Sequence, residues 1–271
     1  MATGGASAAG EPGDPKPEGS GQDKERYFEG TEFFCAGRYR EAIGAFEAAI
    51  ALRPGEARYL VALAAALDRL GFSGQARDLS EQAAQHSPLS PDAWFMRGLA
   101  LYRLGRYTGA KACLEPAVKL LPAHAEAWFI LGNCHYQSDE AEESLACFDR
   151  VLAIESRYPK ALYNRGVSLA DLGRFDEAAE AYRACIGLNP GVAVVLTNLG
   201  VSLANLGKFA EAIPYFDEAL GIDPRDAMCW HDKGLALSKI GREEEAMACF
   251  ERFRELSRFR PSQMIDLRSF R

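Results

Sequence analysis

The chain has 271 residues, of which 25% are charged and 48% hydrophobic, and its formal net charge is −7. A mildly acidic chain without a basic stripe is a poor match for nucleic acid. No apolar run reaches the length of a membrane-spanning helix, and the N-terminus carries no secretory signal pattern. We therefore expect no nucleic-acid or membrane partner, and we expect a cytoplasmic location.

The first 22 residues are rich in Gly, Pro, Ala, Ser and charged residues, and they contain no large apolar residue after Met1. Such a segment cannot bury enough surface to offset the entropy lost on ordering. Residues 1–22 are therefore predicted to be a disordered tail.

A 34-residue pattern then repeats seven times without a break, over residues 23–56, 57–90, 91–124, 125–158, 159–192, 193–226 and 227–260. One slot of the pattern, position 8, holds a small residue in every repeat: Gly30, Ala64, Gly98, Gly132, Gly166, Gly200 and Gly234. A fixed period of this length is typical of stacked repeat proteins, in which each unit buries its face on its neighbours.

Each repeat contains two apolar stretches with helical spacing, and repeat 5 shows them clearly. Leu162, Gly166 and Leu169 fall on one face of a first helix. Gly173 stands where this helix must end and the chain must turn, and Pro190 stops the second helix. The repeats therefore predict an all-α protein made of helix pairs.

The slots of repeat 6 hold Leu196, Leu199, Gly200, Leu203, Ala212, Phe216, Ala219 and Pro224 at positions 4, 7, 8, 11, 20, 24, 27 and 32. These residues resemble the tetratricopeptide repeat. The resemblance covers residues 23–260 and implies a right-handed superhelical α-solenoid of seven helix-turn-helix pairs. It also implies that the first helices line a concave groove.

Repeats 1, 4 and 7 depart from the pattern, and repeat 1 has Arg26 and Glu29 where apolar residues belong, as expected of a terminal unit. Repeat 4 has Asp139 and Ser156 in place of the turn glycine and the closing proline, which predicts a slightly different turn. Repeat 7 lacks the closing proline, so its second helix is predicted to run on to Pro261. Residues 261–271 are then predicted to be a short C-terminal capping segment.

The resemblance also implies a peptide-binding surface. Its first helices face the groove through positions 2, 5, 6, 9, 12 and 13, which gives Phe95, Tyr102, Phe129, Asn133, Tyr136, Tyr163, Asn164 and Asn198 as the binding residues. Exposed aromatic rings are typical anchors for a peptide, and a carboxamide can pair with a peptide group. The alternatives are that the rings pack as core and that the asparagines are merely solvated.

Nothing in the sequence points to catalysis. No phosphate-binding or dinucleotide glycine motif occurs, and the seven cysteines are odd in number and form no CxxC, so we expect reduced packing cysteines with no metal or cofactor. We therefore expect a monomeric, non-enzymatic adaptor that binds a protein or peptide partner, with oligomers left open. The alternatives are a structural subunit that bridges an assembly through its convex face or ends, and an accessory protein of a glycosyltransferase-type system.

Overall fold

The computed structural model describes residues 21–258. These residues form fourteen α-helices and contain no strand, which confirms the all-α prediction and the helix pairs. The helices are α1 (Gln22–Cys35), α2 (Tyr39–Leu52), α3 (Ala57–Arg69), α4 (Ser73–His86), α5 (Pro91–Arg103), α6 (Tyr107–Leu120), α7 (Ala125–Gln137), α8 (Ala141–Ile154), α9 (Pro159–Asp171), α10 (Phe175–Leu188), α11 (Ala193–Asn205), α12 (Phe209–Ile222), α13 (Ala227–Lys239) and α14 (Glu243–Arg258).

The chain divides into two units, Met1–Ser87 and Pro88–Arg271. The first contains helices α1–α4 and the second contains α5–α14. Helix α1 already includes Gln22, so the predicted tail ends earlier than residue 22. Residues 1–20 of that tail, the predicted extension of α14 to Pro261 and the predicted capping segment of residues 261–271 lie outside the described residues.

Several first helices begin at a residue that satisfies a free backbone N–H group. The Ser90 side chain accepts a hydrogen bond from the Ala93 amide at 3.3 Å, and the Asp226 side chain accepts one from the Cys229 amide at 3.1 Å. Pro91 stands at the first helical position of α5, where its missing N–H costs nothing. These caps set where the first helices of repeats 3 and 7 start.

The turn within repeat 4 keeps the geometry of the other turns, and the prediction of a different turn was wrong. Asp139 adopts a φ of 60°, in the left-handed region where Gly173 of repeat 5 has a φ of 73°. The Glu140 amide donates to the His135 carbonyl at 3.0 Å, as the equivalent Arg174 amide donates to Leu169 at 2.9 Å. Aspartate is among the few residues that tolerate this conformation.

Close approach of the two helices in each pair explains the small residue at position 8. A Cβ atom at Gly166 would lie 2.5 Å from Cε1 of Tyr182, a ring that is 1% exposed. In repeat 2, Ala64 fills the small slot, and the residue at the position equivalent to Tyr182 is Ser80. The two slots therefore compensate each other in size, since close packing leaves no spare volume.

Within residues 88–258, each second helix also contacts the first helix of the following repeat. Two of these contacts carry an ion pair between position 25 of one repeat and position 7 of the next. Asp149 Oδ1 lies 2.6 Å from Arg165 Nε, and Asp217 Oδ1 lies 2.5 Å from Lys233 Nζ. Successive first helices touch as well, so α7, α9, α11 and α13 lie side by side.

Candidate functional site

The candidate site lies on the first helices of repeats 5–7, on the side turned away from their second helices. An α-helix turns by about 100° per residue, so positions 2, 6, 9 and 13 lie roughly 100–160° from the glycine at position 8 that faces the second helix. We call these twelve residues the first-helix face: Lys160, Asn164, Val167, Asp171, Val194, Asn198, Val201, Asn205, Met228, Asp232, Leu235 and Lys239.

Two rows of this face present apolar side chains: position 9 in all three repeats, and position 2 in repeats 6 and 7, where repeat 5 has Lys160. At position 2, Val194 is 47% exposed and Met228 is 51% exposed. At position 9, Leu235 is 46% exposed, while Val167 and Val201 are half-buried. Exposed apolar side chains that recur at equal spacing in adjacent repeats form a continuous patch, and such patches mark interaction sites in soluble proteins.

A polar row at position 6 runs between the two apolar rows and consists of Asn164, Asn198 and Asp232, all half-buried. The Asn164 amide donates to the Asn133 side-chain oxygen at 2.8 Å, and the Asn198 amide donates to the Tyr163 hydroxyl at 3.4 Å. Both bonds use the nitrogen of the carboxamide. Each bond uses one of the two N–H donors of its carboxamide and leaves the carbonyl oxygen available to a guest.

Asp232 completes the row with a carboxylate. Burial raises the pKa of Asp232, and the neighbouring His231 opposes that rise, with its Nδ1 atom 3.1 Å from the carboxylate. A half-buried acid at the end of this row adds a carboxylate to the two carbonyl oxygens, so each residue of the row has at least one hydrogen-bond acceptor. Such a row favours a guest that brings donors.

The predicted aromatic residues occupy a different place from the asparagines. Phe95 is only 7% exposed and packs on His124 with ring centroids 4.5 Å apart. Phe129 stacks on Tyr158 at 5.3 Å, and Tyr163 packs on Tyr182. Positions 5 and 12 lie only about 40–60° from position 8, so their side chains turn toward neighbouring helices.

The position-12 residues Tyr102 and Tyr136 are half-buried, and Tyr102 packs against Tyr107 with ring centroids 5.9 Å apart. The structure thus joins Asn133 to Asn164, and Asn198 to Tyr163, across adjacent first helices, and it holds the rings of Phe95, Phe129 and Tyr163 in packing contacts. Binding of a peptide by any of these residues stays a prediction.

One polar cluster was missed by sequence reasoning. Glu140 accepts from Lys111 of the preceding repeat at 2.7 and 2.6 Å and lies 2.6 Å from His135 Nδ1. Lys111 and His135 are both 15% exposed. The Lys111 ammonium and the His135 bond hold the pKa of Glu140 below its usual range. Lys111 occupies the same slot as the apolar Leu145, Ala179 and Ile213 of later repeats, which is the signal that could have revealed it.

The cysteines show no sign of activation. Six of the seven are buried, and Cys35 is exposed; none forms a disulfide. Burial raises the pKa of Cys134 and of Cys147 to about 12 and that of Cys229 to about 11. The thiolate is the nucleophilic form, so these thiols act as small packing groups. No cluster of three or more potential metal ligands occurs in residues 21–258.

Sequence models of the tetratricopeptide repeat match this chain over residues 29–71, 62–112, 96–159, 159–192, 193–226 and 229–258. These matches together span most of the chain. The chain therefore belongs to the tetratricopeptide repeat (TPR) family, which confirms the resemblance.

Solved structures show the same fold. YrrB, described as a TPR protein with an unusual peptide-binding site, aligns with a TM-score of 0.65 at 23% identity over 70% of this chain and 97% of its own. PilF of Pseudomonas aeruginosa aligns with a TM-score of 0.67 at 17% identity over 75% and 92%. MamA from MSR-1 aligns with a TM-score of 0.58 at 25% identity, over 62% of this chain and 97% of its own. At these identities the likeness concerns the fold.

No curated protein sequence matches the chain. Among the helices of residues 21–258, none combines the length and the apolar character needed to cross a bilayer. The family and the fold place the protein among repeat scaffolds for protein interactions.

Proposed function

We propose that the protein is a non-enzymatic scaffold and that the first-helix face of repeats 5–7 binds an extended segment of a partner protein. The observation that carries this proposal is the acceptor row of Asn164, Asn198 and Asp232 between two exposed apolar rows. A peptide backbone alternates polar groups and side chains in the same way, so its N–H groups can meet the row while its side chains cover the apolar residues.

Preorganisation supports the proposal. Asn133 is 6% exposed and fixes the Asn164 carboxamide through a 2.8 Å hydrogen bond. The rings of Phe129 and Tyr163 are held by packing on neighbouring helices and cannot be displaced without loss of core contacts. A site whose side chains are already oriented loses less entropy when the guest binds. The peptide-binding description of YrrB is consistent with the same use of this fold.

The chemistry of the row also constrains the guest. Three acceptors in line, one of them a carboxylate, favour a segment with free N–H donors and a cationic group near repeat 7. The exposed Met228 and Val194 favour apolar side chains on one side of that segment.

A displayed library of random peptides, selected against the full chain, supplies ligands whose dissociation constants can be measured by fluorescence anisotropy. The variant Asn164→Ala/Asn198→Ala/Met228→Ala removes two hydrogen bonds and one apolar contact. We expect it to weaken binding by roughly 100-fold.

The matched control is Glu180→Ala/Glu218→Ala, which changes two exposed residues on the second helices α10 and α12. It should bind the selected peptides as tightly as the natural sequence does. If the triple variant binds them with unchanged affinity while its helical circular dichroism is intact, the first-helix face is not the binding site.

A further inference from the structure

The last described repeat presents an apolar face that inner repeats keep covered. Met247, at position 21 of the repeat on α14, is 61% exposed. Its counterparts in repeats 4–6 are Leu145, Ala179 and Ile213, which are 7%, 1% and 6% exposed. Met247 therefore lies where each inner repeat receives the next first helix.

The residues that cover this position in an inner repeat can be identified. Leu196 and Leu199, at positions 4 and 7 of repeat 6, are fully buried and belong to the same core cluster as Ala179. Helix α10 contacts α11 along this boundary. Helix α11 therefore supplies two large apolar side chains, spaced by three, to the core in which position 21 of repeat 5 is buried.

The chain after α14 continues the 34-residue register. Pro261 falls at position 1, which is also proline in the first helices that begin at Pro91 and Pro159. Met264 and Leu267 fall at positions 4 and 7, two repeat lengths after Leu196 and Leu199.

The residue at position 7 alternates between leucine and a charged residue along the chain, and Leu267 continues this alternation. Position 7 is leucine in repeats 2, 4 and 6 and charged in repeats 1, 3, 5 and 7, so leucine is due in the next. Arg268 then replaces the small residue at position 8. A small residue is needed there only where a second helix crosses closely, as Tyr182 does at Gly166. The match ends at Phe270, because position 10 holds the buried Ser168 and Ser202 in repeats 5 and 6.

We propose that residues 261–268 dock on the exposed face of α14 as the first half of an eighth repeat, with Met264 and Leu267 covering Met247. Helix α14 ends two residues later in its repeat than α12 does, so docking requires Ser257 and Arg258 to leave the helix, which restores the four-residue connection that separates α12 from α13. A tethered segment has a high effective concentration there, which favours it over a second copy of the chain as the occupant.

Hydrogen exchange followed by mass spectrometry tests the proposal on the full chain and on a shortened chain that ends at Arg260. Removal of residues 261–271 should speed exchange of the α14 amides by about tenfold, since one factor of ten corresponds to about 1.4 kcal/mol. Met247→Glu in the full chain should produce the same increase, because a carboxylate cannot be buried under Met264 and Leu267. The two changes together should add little beyond either one.

The control substitution is Leu89→Glu, at an apolar residue that is 80% exposed far from α14 in the sequence, and it should leave α14 exchange unchanged. Unchanged α14 exchange in the shortened chain would overturn the proposal. Light scattering tests the alternative that a second copy of the chain covers the face. In that case the full chain would be a dimer, the shortened chain would remain a dimer, and Met247→Glu would dissociate it.

Discussion

Replacement of Gly166 by alanine should destabilise the protein even though alanine is the better helix former. Gly166 lies inside α9, where the intrinsic preference favours alanine by about 1 kcal/mol. The added Cβ would lie 2.5 Å from Cε1 and 2.8 Å from Cδ1 of Tyr182. That ring is 1% exposed and part of the core between repeats 5 and 6, so it has little room to move.

The two opposing effects set the expected magnitude. Overpacking of a well-packed core costs typically about 1–3 kcal/mol, and more where the contact is with a rigid ring. After the propensity gain, we expect a net loss of about 1–2 kcal/mol, or roughly 2–8 °C in melting temperature for a unit of this size. The control is Gly187→Ala in the same repeat, where a Cβ meets nothing within 4 Å, and which should be neutral or stabilising by up to about 1 kcal/mol.

Urea unfolding followed by circular dichroism measures both variants, with attention to the slope because a repeat array can unfold in stages. Two more variants complete a double-mutant cycle: Tyr182→Ser alone, and Tyr182→Ser combined with Gly166→Ala. The combined variant copies the Ala64 and Ser80 pair of repeat 2. In the serine background the alanine should cost nothing. A Gly166→Ala protein as stable as the natural one would refute the close-crossing explanation of position 8.

Three further predictions concern single contacts. Asp139→Gly should raise the free energy of unfolding by about 0.5–1 kcal/mol, because glycine adopts a φ of 60° without a steric penalty. The gain is measured as a higher urea midpoint. Glu140→Gln should lower stability at neutral pH by about 0.5–1 kcal/mol, since it removes the carboxylate from the half-buried Lys111, while water screens the Glu140 side chain, which is 38% exposed. The pKa of Glu140 is lowered on folding, so the stability difference between the two proteins should be present above the ordinary glutamate pKa of 4.5. It should vanish as the pH falls through the lower pKa of the folded state. A stability difference that stays constant down to about pH 2 would contradict this explanation. Ser168→Ala should lower stability by about 1–2 kcal/mol, because it leaves the fully buried Ser144 hydroxyl without its 3.0 Å partner. The double variant Ser144→Ala/Ser168→Ala should recover most of that loss. Additive losses in thermal melts would contradict a hydrogen bond between the two serines.

The period was sufficient to predict the helix pairs, because a small residue at position 8 and a turn glycine recur at fixed distances and each has a direct steric cause. The turn of repeat 4 was predicted to differ because Asp139 is not glycine. The prediction failed because an aspartate can adopt the same left-handed conformation, so a change of residue type did not change the backbone.

The candidate site was harder to predict, since a list of groove positions treats all of them as equally exposed. Position 5 lies about 60° and position 6 about 160° from the glycine that faces the second helix. Phe95 and Phe129 therefore pack against neighbouring helices, whereas Asn164 one position later in its own repeat lies in the acceptor row. The hydrogen bond from Asn164 to Asn133 depends on how two helices of different repeats are placed, which no local pattern encodes.

The two ion pairs between repeats imply that the module for shortening the chain between repeats 4 and 7 is 68 residues and not 34. Deletion of repeats 5 and 6 together would bring Lys233 opposite Asp149 and restore the existing type of boundary. Deletion of repeat 6 alone would bring Lys233 opposite Arg183, two cations in one slot. Between repeats 4 and 7, shortening would thus keep an ion pair at the new boundary only when repeats 5 and 6 are removed together, so this part of the chain has a two-repeat module that its 34-residue period does not reveal.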